Sequence, residues 1–139
     1  MGDIKKLAVL VSGNGSNLQS IIDSINIGEI NANISLVISN IETAFALTRA
    51  KQENLNSAFL NHKNFSSRES FDQALSKLLT EHEVDLIVLA GFMRILSNSF
   101  IEKFNRKIIN IHPSLLPKYP GLNTHEKVIN NKDKFHGVT

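Results

Sequence analysis

The chain has 139 residues, 42% of them hydrophobic, with 15 lysines and arginines against 13 aspartates and glutamates, a formal net charge of +2 and no cysteine. That apolar share supports a folded core, and the length suits a single domain over 1–139. Balanced charge without a basic run argues against nucleic-acid binding, and the lack of cysteine excludes a disulfide framework, a thiolate-bound metal and a thiol nucleophile.

The first predicted element is LAVLVSG (7–13), a continuous apolar run ending in glycine, as expected of a strand buried on both faces. It is too short to span a membrane and no cleavage pattern follows it. Lys6 stands where a myristoylation signal needs Ser or Thr, so a cytoplasmic protein is expected. SNLQSIIDSIN (16–26) carries Leu18, Ile21, Ile22 and Ile25 at helical spacing, the pattern of an amphipathic helix. ISLVIS (34–39) predicts a second strand, ETAFALTRAKQE (42–53) a second helix and SAFLNH (57–62) a weaker third strand. Ser66 and Glu69 have the spacing of a capping box, opening a helix with Phe71, Leu75, Leu78 and Leu79 on one face. DLIVLAG (85–91), a short helix NSFIEKF capped by Ser97, and KIINIH (107–112) complete the series.

Strands alternating with helices imply parallel βαβ units in an open, doubly wound α/β sheet of Rossmann-like type. In such sheets ligands bind beyond the carboxyl ends of the strands, where strand order reverses. The loops after the first, fourth and fifth strands are therefore the candidate functional ones.

Gly13-Asn14-Gly15-Ser16-Asn17 lies between a strand and a helix, where free N–H groups and the helix dipole attract an anion. A tight turn capped by Ser or Asn explains the loop equally well. Leu18 replaces the third glycine of a dinucleotide fingerprint, and Ser39-Asn40 ends the second strand without a carboxylate for a ribose. One phosphate on a small substrate fits better than a dinucleotide.

NIHPSLLPKYPG (110–121) holds all three prolines of the chain. Pro113 keeps His112 out of the helical region, leaving Asn110 and His112 on the same side of a strand end. An amide donor beside an imidazole that titrates near neutrality suits a reaction passing through a tetrahedral oxyanion. A strand-end pair bonded to loop backbone is the plainer alternative. His62, His82, His125 and His136 lack metal-ligand spacing, so no metal is expected.

VSGNGSNLQSII, LAGFMRIL and NIHPSLLPKYPGLNTH, in that order, resemble the glycinamide ribonucleotide transformylases, folate-dependent formyltransferases of purine synthesis. The HPSLLP segment is shared by the wider formyltransferase superfamily, whereas GNGSN is the more specific part. The resemblance implies the formyltransferase fold and attack of the amine of 5'-phosphoribosylglycinamide on the formyl carbon of 10-formyltetrahydrofolate. It implies that Gly15, Ser16 and Asn17 hold the substrate phosphate, that His112 is the catalytic acid and that Asn110 steadies the oxyanion. It likewise implies that Met93, Arg94, Ile95 and Leu96 line the folate pocket, with Asn110 beside it and Arg68 in contact with folate. The family's third catalytic residue, an aspartate, falls just past the segment matched by His136-Gly137-Val138-Thr139. On that comparison the chain is expected to be incomplete at its C-terminal end and, taken alone, a poor transferase. A methionyl-tRNA formyltransferase, a formyltetrahydrofolate deformylase and a non-catalytic remnant are the competing readings. No nucleic-acid or membrane partner is implied, and no residue pattern sets an oligomeric state.

Overall fold

The structure, a computed structural model, describes residues 4–111 and 124–132. The chain packs as two compact units that divide after Ile109. The first holds a sheet with its covering helices. The second includes α5 (Thr124–Asn130), whose end is followed by Lys132 in a left-handed conformation.

The sheet has five strands in the order β3-β2-β1-β4-β5: β1 (Lys5–Val11), β2 (Ala32–Ser39), β3 (Ser57–Phe59), β4 (Leu86–Leu89) and β5 (Ile108–Asn110). β1 pairs in parallel with β2 and β4, and β2 in parallel with β3. The register runs from Leu7 against Leu86 to Leu10 against Leu89, with a shift on the β2 side between Leu7 and Ala8. The chain therefore works outward from β1 to β3, then returns to the other side of β1. The order reverses between β1 and β4, and this is the expected doubly wound fold.

Alternation along β1 divides the core into two layers. Leu7, Val9 and Val11 pack with Leu18 and Ile22 of α1 (Ser16–Asn26) and with Ala46 and Ala50 of α2 (Phe45–Gln52). Ala8 and Leu10 face Phe71, Leu75 and Leu79 of α3 (Arg68–Glu81), together with Phe100 of α4 (Asn98–Lys103) and Phe104. Because helices cover both faces, β1 reads as a continuous apolar run instead of an alternating one. Each Val, Leu, Ile or Phe side chain among them, fully buried, contributes about 1.5–3 kcal/mol.

Several boundaries differ from expectation. α3 is capped by Ser67 instead of Ser66: Ser67 Oγ accepts from Ser70 N at 3.1 Å, and Ser67 N donates to Ser70 Oγ at 3.2 Å. Two serine hydroxyls thus close the box, and Glu69 sits in the first turn, where its charge suits the helix dipole. α2 begins only at Phe45, because Ile41 to Ala44 form a turn in which Ala44 N donates to Ile41 O at 3.2 Å. β3 stops at Phe59, as Asn61 accepts from Lys63 N at 3.0 Å and starts a 3-10 turn over His62–Asn64. Ser97 caps α4 as expected, accepting from Phe100 N at 3.3 Å.

Candidate active site

The loop after β1 is built around two glycines with different surroundings. Gly15, the N-cap of α1, has φ 81° and ψ 29°, a left-handed conformation. A β-carbon there would lie 2.7 Å from Ala46 Cβ, whereas one on Gly13 would meet nothing within 4 Å. Gly15 is thus demanded by its backbone and by the close approach of α2. Gly13 leaves an open surface. Ser16 and Asn17 are exposed on the first turn of α1, where no side chain among the described residues caps the helix and no acidic residue stands.

α2 grips this loop from the side. Ala46 N donates to Gly13 O at 3.2 Å. Arg49 Nε donates to Asn14 O at 2.8 Å, its Nη2 to Asn14 Oδ1 at 2.5 Å and its Nη1 to Gln19 Oε1 at 3.3 Å. The same guanidinium lies 4.8 Å from the centre of the Phe45 ring. Sequence reasoning missed Arg49. No local pattern ties it to a residue 35 positions earlier.

A second loop, Gly91 to Ser97, begins at the adjacent strand end and is pinned twice. Ser12, at the end of β1, donates through N to Gly91 O at 3.0 Å and through Oγ to Asn40 Oδ1 at 2.6 Å, while Met93 N donates to Ser12 Oγ at 2.8 Å. Ser12 is 8% and Asn40 4% exposed, so these bonds are shielded from water. At the far end of the loop, Ser97 N donates to the buried carboxylate of Asp72 at 2.6 Å. Between these pins Met93 and Ile95 are 69% and 73% exposed, while Leu96 is buried with the α3 and α4 layer. The Arg94 guanidinium lies 4.7 Å from the centre of the Phe71 ring, and its buried Nε has no hydrogen-bond partner among the described residues.

Ser12, a few residues ahead of Gly15, Ser16 and Asn17 in the chain, thus anchors the start of the segment of Met93, Arg94, Ile95 and Leu96 to the end of β1, at the reversal point of the sheet. Arg68 is exposed as the first residue of α3, one turn ahead of Phe71. Asn110 is exposed at the end of β5. His112 and the proline-bearing segment 113–123 lie outside the described residues. No group of three or more potential metal ligands occurs among the described residues, and no helix among them is long and apolar enough to cross a membrane.

The description "formyl transferase" belongs to the family model that matches residues 5–139. The chain belongs to the formyl transferase family. It is 52% identical over 136 residues to the phosphoribosylglycinamide formyltransferase of Haemophilus influenzae, covering 98% of this chain and 64% of that relative. Among solved structures it is similar to the phosphoribosylglycinamide formyltransferase of Coxiella burnetii, solved in complex with CHES. The TM-score is 0.94 at 45% identity, over 98% of this chain and 64% of that one. It is also similar to glycinamide ribonucleotide transformylase 1 of Symbiobacterium toebii, with a TM-score of 0.96 at 37% identity over 100% of this chain and 66% of that one. The chain spans 64% and 63% of the length of the Haemophilus influenzae and Escherichia coli relatives it matches.

Proposed function

We propose that the protein transfers a formyl group from 10-formyltetrahydrofolate to the amine of 5'-phosphoribosylglycinamide, a step of purine synthesis in the cytoplasm, within one domain over 1–139. Gly15, Ser16 and Asn17 hold the substrate phosphate with backbone N–H groups at the start of α1. Met93, Arg94, Ile95 and Leu96 present the folate-binding surface, and Arg68 meets the folate from the start of α3. The amine nitrogen attacks the formyl carbon, forming a C–N bond and a tetrahedral oxyanion. Asn110 donates its amide N–H to that oxygen. Protonated His112 also stabilises the charge and gives its proton to the departing N10 as the C–N10 bond breaks. The attacking nitrogen gives up one proton to solvent, leaving formylglycinamide ribonucleotide and tetrahydrofolate. No metal is needed for any of these steps.

The observation that supports this reading is the junction at Ser12, which directly precedes the glycine loop in the chain and whose hydroxyl accepts from Met93 N and donates to Asn40 at neighbouring strand ends. Two substrates held by those loops would be brought side by side, the arrangement a direct group transfer requires. The test follows tetrahydrofolate release from 10-formyltetrahydrofolate with and without 5'-phosphoribosylglycinamide. Release that depends on the nucleotide and falls about 10²–10³-fold in His112→Ala is expected. Equal release without the nucleotide would identify hydrolysis instead, and a His112→Ala protein of undiminished rate would remove the acid assignment.

A further inference from the structure

The GNGSN loop carries no positive charge of its own, yet a guanidinium holds it from the side. Arg49 engages Asn14 twice, through the carbonyl and the side-chain amide, and reaches Gln19 on α1 with its remaining terminal nitrogen. The Phe45 ring at 4.8 Å limits how the guanidinium plane can turn. In a trans peptide the carbonyl and the next N–H point in opposite directions. Holding the Asn14 carbonyl toward Arg49 therefore turns the Gly15 N–H to the other side of the loop. The bond from Ala46 N to Gly13 O does the same for the Asn14 N–H. Successive N–H groups aimed to one side form a concavity suited to an anion.

We infer that Arg49 is a positioning residue for the phosphate subsite: it sets the orientation of the loop peptides and keeps a fixed positive charge behind the bound phosphate. The inference rests on the reading that Gly15, Ser16 and Asn17 hold a phosphate. Arg49 itself touches the loop, and the loop touches the ligand. Lysine cannot replace it, since an ammonium lacks the planar fork that spans Asn14 and Gln19.

Calorimetry with two ligands separates this role from a general effect on folding. The ligands are 5'-phosphoribosylglycinamide and its dephosphorylated riboside, and the quantity read is the ratio of their dissociation constants. Wild-type protein should bind the phosphorylated ligand more tightly. In Arg49→Gln that preference should fall about tenfold, the scale of a lost hydrogen bond together with weakened charge, with binding of the riboside nearly unchanged. Arg49→Lys, which keeps the charge and loses the fork, should recover only part of it. Asn14→Ala removes one acceptor without touching α2 and should lower the preference about threefold, which keeps the question answerable if Arg49→Gln fails to fold. Equal losses for both ligands, or an unchanged ratio in the folded variants, would overturn the inference. Wild-type protein with no preference between the ligands would instead bring down the phosphate reading, and this inference with it.

Discussion

Gly13 and Gly15 stand two positions apart, yet a methyl group would be received differently at each. At Gly15 alanine would have to adopt a left-handed backbone, costing about 1–2 kcal/mol. Its β-carbon would also press into Ala46 at 2.7 Å, and such overpacking costs about 1–3 kcal/mol more. At Gly13 no neighbour lies within 4 Å and no positive φ is required, so Gly13→Ala should change stability by less than about 0.5 kcal/mol. The two variants divide the roles of the loop. Gly15→Ala is expected to lower the midpoint of urea unfolding, whereas Gly13→Ala is expected to leave it in place and weaken the phosphorylated ligand. A Gly13→Ala protein with wild-type affinity would show that the ligand does not approach this face. Replacing Gly15 with valine would confuse a folding defect with a binding one, since its side chain would press into Ala46.

The helices end more uniformly than they begin. Gly28, Asn54, Glu83 and Lys132 each stand two residues past the end of a described α-helix, and Arg106 three past the end of α4, all with φ between 53° and 84°. Left-handed residues in this place close the last turn and satisfy its carbonyls. Only one of the five is glycine, so the others hold a conformation that a β-carbon disfavours. Arg106 is exposed, and Arg106→Gly should raise stability by up to about 1 kcal/mol, measured as a higher urea midpoint. An unchanged or lower midpoint would show that the arginine side chain makes a compensating contact. Helix α1 was legible in the sequence to the residue, because its apolar spacing and the preceding glycine agree. α2 and β3 were read too long. A turn at Ile41–Ala44 and the Asn61 cap interrupt them, and neither breaks the hydrophobic pattern. The glycine loop itself was readable from spacing. Its grip by Arg49, and the bond from Ser12 to Asn40, join residues 35 and 28 positions apart and exist only once the chain has crossed over the sheet.

Across the whole molecule the described ion pairs are few, and the sheet is held mainly by its two apolar layers. Lys6 Nζ meets Glu83 Oε2 at 2.9 Å, linking the start of β1 to the residue just past the end of α3. Its hydrogen bond and charge attraction to Glu83 raise the Lys6 pKa above its ordinary value, and the same interactions lower that of Glu83. The contribution is therefore complete between the two unfolded values, 4.5 and 10.5. It is lost as pH falls through the lowered folded value of Glu83, or rises through the raised folded value of Lys6. Both groups are solvent-exposed, so the effect should be small and screened by salt. Glu83→Gln should lower stability slightly near neutral pH, and the difference should vanish in 1 M salt and in acid, at about the salt level where screening reaches 3 Å. A difference that persists under both conditions would assign it to the helix end and not to the charge.

The loop from Gly91 to Ser97 is fastened at one end by the Ser12 hydroxyl and at the other by the Asp72 carboxylate. Neither fastening uses the side chain of Met93 or Ile95, the two large apolar residues it exposes. The path of the backbone and the identity of the surface it displays are thus controlled by different residues. In evolutionary terms, lineages could exchange those two side chains, and so adjust what the loop accommodates, while Ser12 and Asp72 keep the route unaltered.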